Sequence, residues 1–262
     1  MKLSCGEFMV PGKNLEEKLN LLERCGFDGI EISGGAIRGR EEEIKKALGK
    51  SKVKLSTVCG YTGCLLAAER DARVQASEDL KFLLGFAGQT GATGVIMVPL
   101  FGPPRIPDLS PYADAVELEK RLFIELLKGI GERAEKAKAV LLIEPLNRYE
   151  THLLNRLEQA VEICGKVDNP YVRIMADFFH MSIEEINIPE AIRKAGAHTR
   201  HIHLADSTRL LPGYGHTDFK AAFAELKKAG FKDYMALECG IPGGTDPEKE
   251  LAKCVKYLKG CM

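Results

Sequence analysis

Short apolar runs and longer amphipathic stretches alternate along the whole chain. The apolar runs that predict strands are Lys2–Cys5, Gly29–Ile32, Lys54–Val58, Gly94–Val98, Val140–Glu144, Val172–Asp177, Arg200–His203 and Tyr234–Glu238. Helical patterns follow them near Leu15–Arg24, Glu41–Leu48, Arg70–Gln89, Tyr112–Lys138, Arg156–Val167, Ile188–Ala195, Phe219–Ala229 and Pro247–Leu258. Strand–helix alternation forces parallel pairing through right-handed crossovers. Eight such units predict a sheet closed on itself, an α/β fold consisting of a single (β/α)8 TIM barrel.

A weak internal echo supports repeated units. Cys25-Gly26-Phe27 and Ala229-Gly230-Phe231 each close a helix on a glycine and start a strand just after a phenylalanine. No Pro/Ser linker or low-complexity segment interrupts the rhythm, so residues 1–262 are expected to form one barrel domain. The proline-rich stretch Phe101–Pro107 after the fourth strand falls on the rim where barrel active sites lie. It is expected to help cover a site.

Four strand-like runs end in side chains that metals favour: Glu144, Asp177, His203 and Glu238. Equivalent strand ends in a parallel barrel face one cavity. Carboxylates with one imidazole suit Mn²⁺ best here, with Mg²⁺ or Co²⁺ as alternatives, whereas structural zinc prefers Cys and His. The ordinary reading of any one such carboxylate is a helix cap or an ion pair. Four on consecutive strands make a metal site the better reading. Adjacent oxygens of an α-hydroxyketone could chelate there, and the ion would stabilise an enediolate.

Composition narrows the partners. The formal net charge is +0 and no basic block occurs, which argues against a nucleic-acid partner. No stretch approaches the roughly 18 apolar residues of a membrane span. The eight cysteines are scattered without a Cys-x-x-Cys pair and read as reduced thiols. With no apolar leader at the start, a cytoplasmic location is expected.

Several blocks carry a resemblance. They are Ile143-Glu144-Pro145-Leu146-Asn147-Arg148-Tyr149-Glu150-Thr151-His152, Asp177-Phe178-Phe179-His180-Met181, His201-Ile202-His203, Gly213-Tyr214-Gly215-His216-Thr217-Asp218-Phe219 and Leu237-Glu238. In order and spacing they resemble the ketose 3-epimerases, of D-tagatose/D-psicose type, in the xylose-isomerase-like barrel superfamily. The resemblance implies metal binding by Glu144, Asp177, His203 and Glu238. It implies that Glu144 and Glu238 are also the acid/base pair, and that Glu150, His180 and Arg209 bind the substrate near its carbonyl end. Two carboxylates on opposite sides of an enediolate can remove a proton from one face and return one to the other. The implied substrate is a ketose or keto sugar acid, and relatives of this kind are commonly dimers or tetramers.

The chain departs from that pattern at Cys239-Gly240, at Asp206-Ser207-Thr208 and in having no Trp. These departures bear on the distal half of the substrate. An aldose–ketose or keto-acid isomerase of hydroxypyruvate or inosose type would use the same metal site and is the alternative. An apurinic endonuclease of the superfamily needs further His ligands, and residues 1–151 contain none. A non-catalytic sugar binder would not need two carboxylates placed for proton transfer. His216 and Asp218 are expected to order their loop and cap the following helix, and His198 to sit exposed at a helix end. His201 lies two residues before His203, so regular alternation puts both on one face. A kink or a supporting position is then required of His201.

Overall fold

The computed structural model describes residues 1–262. Eight parallel strands close into a barrel in sequence order. They are β1 (Lys2–Gly6), β2 (Gly29–Ser33), β3 (Lys54–Cys59), β4 (Gly94–Met97), β5 (Val140–Ile143), β6 (Val172–Asp177), β7 (Thr199–Leu204) and β8 (Tyr234–Leu237). Pairing of β1 with β8, Cys5 opposite Leu237, closes the ring. The expected fold is the observed one, with strand ends shifted by a residue at most.

Nine helices surround the barrel: α1 (Leu15–Cys25), α2 (Glu41–Gly49), α3 (Arg70–Thr90), α4 (Ala115–Ala137), α5 (Leu157–Val167), α6 (Phe178–Glu184), α7 (Ile188–Ala195), α8 (Phe219–Lys228) and α9 (Pro247–Cys261). Their apolar stripes pack on the outer faces of the strands in one large core. Side chains fill the barrel itself, with Ile96, Val140, Leu142 and Met175 forming an inner cluster. Burial of this kind contributes roughly 25 cal/mol per Å² of apolar surface. Glycines end α1 and follow α8 as expected. Gly26 and Gly230 take φ of 86° and 75°, a region open to glycine and costly for other residues.

Only α6 falls outside the expected helices. Asp177, the last residue of β6, accepts a hydrogen bond from the His180 backbone N–H at 3.0 Å and so caps α6 directly. Seven residues are too few to show a helical period in sequence. Asp218 caps α8 through the Ala221 N–H, as expected. His198 lies half-buried in a short 3-10 turn, a correction to its expected exposure.

Candidate metal and substrate site

The four strand-end residues meet at the C-terminal mouth of the barrel. Their ligand atoms all lie within 4.8 Å of one another. Strand pairing sets part of this arrangement, because His203 pairs with Asp177 of β6 on one side and with Ala236 of β8 on the other. The Nδ1 of His203 lies 3.1 Å from Glu238, 3.6 Å from Glu144 and 3.7 Å from Asp177. That nitrogen is buried and forms no hydrogen bond. Buried polar atoms are normally satisfied. An unpartnered imidazole nitrogen facing three carboxylates fits a divalent cation, and the donor set is carboxylate-rich as Mn²⁺ or Mg²⁺ prefers.

Beneath His203 lies Glu31 on β2, a buried carboxylate absent from the residues singled out by sequence. It accepts hydrogen bonds from Nε2 of His203 at 3.2 Å and from Oγ1 of Thr57 at 2.6 Å, and Nε2 of His201 lies 3.1 Å from it. Bonding to Nε2 leaves Nδ1 of His203 as the nitrogen that faces the carboxylates. No kink separates the two histidines. Both point inward on a regular stretch of β7, His201 one layer deeper, with rings 5.3 Å apart. Thr57 reaches Glu31 because β3 carries an extra residue, Ser56, at the register shift between β2 and β3.

Burial and charge push the carboxyl groups apart. Burial raises Asp177 to about 6. Burial also raises Glu144, only partly opposed by the neighbouring His203 imidazole. For Glu238 burial acts upward too, but the His203 charge outweighs it and the net shift is downward. Glu31 moves well below the usual carboxylate range, since the two imidazoles overcome its burial. His203 itself moves up despite burial, held by the charges of Glu238 and Glu31.

A cavity of about 290 Å³ opens beside this cluster. Glu144, Glu238, Glu150, His180 and Arg209 line it, so all three expected substrate contacts share one chamber with both expected acid/base groups. Ile96, Val98, Leu100 and Leu146 supply an apolar wall. Nδ1 of His180 accepts from the Asn147 backbone N–H at 3.2 Å. Its proton is therefore on Nε2, available as a donor. The Asn147 side-chain amide lies 2.8 Å from the same Nδ1 and donates to Glu150 at 3.0 Å, while Arg209 donates to Glu150 at 2.9 Å. Asn147 thus ties three expected contacts together. Its position in the dense polar loop after β5 was the one signal available in sequence.

Arg209 is held in place by its loop. Its backbone has φ 59° and bonds Asp206 and Gly240, and its guanidinium lies 4.6 Å from the Phe179 ring centroid. Buried Asp206 accepts backbone N–H groups of Ser207, Gly213 and Thr217 at 2.8–3.0 Å, which fixes the loop. The proline-rich loop after β4 also contributes, with Phe101 and Arg105 lining the cavity. Buried Glu119 anchors it, accepting from Ile106 N–H at 3.2 Å and contacting His152 Nε2 at 2.6 Å.

A parallel barrel with a carboxylate–imidazole cluster at its C-terminal mouth, beside a small polar chamber, is built as an enzyme acting on a small polar molecule. The chain belongs to the xylose isomerase-like TIM barrel family, whose profile matches residues 19–261. It is 28% identical over 252 residues to a 3-dehydro-D-guloside 4-epimerase of Escherichia coli, covering 95% of each chain. Over 120 residues, 45% of this chain and 40% of the other, it is 38% identical to a D-psicose 3-epimerase of Enterocloster bolteae. The crystal structure of apo 3-keto-D-glucoside 4-epimerase from Escherichia coli superposes along the full length of both chains with a TM-score of 0.90 at 28% identity. No helix is long and apolar enough to cross a membrane.

Proposed function

We propose that this chain is a divalent-metal-dependent sugar epimerase that inverts a carbinol carbon next to a ketone through an enediolate. Its relatives support the class, being epimerases of ketoses and keto-glycosides. The observation that carries the chemistry is the convergence of Glu144 and Glu238. They directly follow β5 and β8, approach one imidazole nitrogen, and line one chamber.

Glu144, Asp177, Glu238 and Nδ1 of His203 would hold the ion, with Mn²⁺ favoured by the donor set. When bound, the ion would polarise the carbonyl and make the neighbouring C–H acidic. One glutamate takes that proton, and the C–H electron pair enters the enediolate. The other glutamate, in its acid form, gives a proton to the opposite face, and the ketone re-forms at the inverted carbon. His180 donates Nε2–H to an oxygen at the carbonyl end. Arg209 and Glu150, linked to each other, orient hydroxyls there. The apolar wall keeps water from quenching the intermediate. The eight free cysteines fit a reducing cytoplasm.

The test is solvent exchange in D₂O with Mn²⁺, followed by NMR over a panel of ketoses and keto-glycosides. Deuterium at the carbon beside the ketone, with the second stereoisomer accumulating, is expected. Deuterium at C1 with an aldose forming would replace the epimerase reading with an aldose–ketose isomerase.

A further inference from the structure

The barrel mouth holds a second cavity, about 460 Å³, on the far side of Glu238 and Cys59, which line both. Its walls come mainly from β1, β2 and the segments that follow them. Glu7 and Phe8 follow β1, Lys18 is on α1, Ser33 ends β2 and Arg40 precedes α2. Small-ligand pockets begin near about 300 Å³. The first chamber alone is of the size a single sugar ring needs, so the second is surplus to a free hexose.

The chemistry of the second cavity is polar without being an anion trap. Lys18 Nζ lies 3.2 Å from Glu7 Oε1, and Arg40 forms a fork on Glu43 at 3.1 and 3.2 Å with Glu7 at 3.9 Å. Both cations are compensated, and the floor carries Glu31 and Glu238. A phosphate or carboxylate would meet more negative charge than positive. Hydroxyl groups would find donors and acceptors side by side. Phe8 adds a flat apolar face that is 70% exposed. Its ring packs over Gly6, where an added Cβ would come within 2.7 Å of the ring. Alternating polar groups beside an open aromatic face suit a sugar ring, which is apolar on its C–H faces and polar at its edge.

We propose that the preferred substrate is a keto-glycoside whose reacting ring lies in the first chamber, with an uncharged glycosyl substituent in the second against Phe8, Glu7, Lys18 and Arg40. This rests on the epimerase reading of Glu144 and Glu238 and extends it across Glu238.

The experiment compares three probes in D₂O with the Mn²⁺-loaded enzyme. They are a free ketohexose, a methyl 3-keto-hexopyranoside and the keto-disaccharide carrying the same reacting ring. The disaccharide is expected to exceed the methyl glycoside in kcat/KM by at least tenfold. Phe8→Ala and Lys18→Met should each reduce that ratio by fivefold or more, through KM for the disaccharide. A wild-type ratio of one or less, or a ratio untouched by both variants, would overturn the proposal. Exchange with the ketohexose and the methyl glycoside but not with the disaccharide would overturn it while leaving the epimerase intact. No exchange with any probe would remove the epimerase reading and this one with it.

Discussion

The two halves of the barrel mouth do different work. Strands β5 to β8 end in the four candidate ligands, and the loops after β5 and β7 and helix α6 add Glu150, Arg209 and His180. Strands β1 to β4 contribute no side chain to that four-residue cluster. They hold Glu31 and Thr57 beneath it; β3, β4 and the loops after them wall part of the first chamber, while β1, β2 and the segments after them build most of the second cavity. One half carries groups that can react, and the other fixes how they are aimed and what else fits. The sharpest contrast is therefore chemical. Glu144→Gln and Glu238→Gln should each lower the deuterium-exchange rate about 10³-fold with the fold retained, the scale of lost acid–base catalysis. Exchange at an undiminished rate in either variant would end the two-carboxylate mechanism.

The supporting half should be felt through the metal. Glu31→Gln keeps shape but removes the charge that holds Nε2–H of both His201 and His203. Loss of such a partner typically costs about 10–100-fold in metal affinity. Titration of the metal-free protein with Mn²⁺ by calorimetry measures this without turnover. Unchanged affinity would mean that the surrounding packing alone sets the His203 ring.

The same division explains what was legible in sequence. Glu144, Asp177, His203 and Glu238 stand at strand ends just before polar loops, so the strand–helix rhythm alone places them on one rim. Glu31 sits inside Gly29-Ile30-Glu31-Ile32-Ser33, where a charged residue between apolar ones reads as a solvent-facing position. In a closed barrel the apolar neighbours face the helices and the alternate position faces inward. Its partner His203 is 172 residues away, and Thr57 meets it only because Ser56 bulges. Pairings across that distance, and a bulge that shifts register by one, leave no local pattern. Asn147 was visible as a loop residue, but its bridge to His180 depends on α6, which was too short to read.

Charge crowding in the metal-free site also has a cost that pH exposes. Asp177 titrates near 6 in the fold, above its usual 3.8. The folded protein then binds more protons than the unfolded chain between those values, so stability falls as pH rises through that window. Glu144, also raised, acts in the same direction. Glu31 acts oppositely, but its contribution is lost only as pH falls below about 4.5. Asp177→Asn can still cap α6 through its amide oxygen. Metal-free Asp177→Asn should therefore unfold at a higher temperature than the parent at pH 7, with the gap closing near pH 4, and Mn²⁺ should raise the parent alone. A gap independent of pH would remove Asp177 as the source.

The finest distinction lies within the reactive half, between groups that touch substrate and the residue that ties them. In Asn147→Ala the backbone N–H still donates to Nδ1 of His180, so the histidine keeps its donor facing the chamber. What goes is the amide bridge to Glu150 and, through it, to Arg209. A hydrogen bond of this kind contributes about 1 kcal/mol, which is roughly fivefold. That loss belongs in KM, because Glu144 and Glu238 are untouched and the bridge positions the oxygens at the carbonyl end. His180→Ala removes the donor itself and should cost more, in kcat as well as KM. If Asn147→Ala matched Glu144→Gln in its loss, Asn147 would be a group that acts on the substrate directly, and the loop after β5 would hold reactive chemistry beyond the strand end.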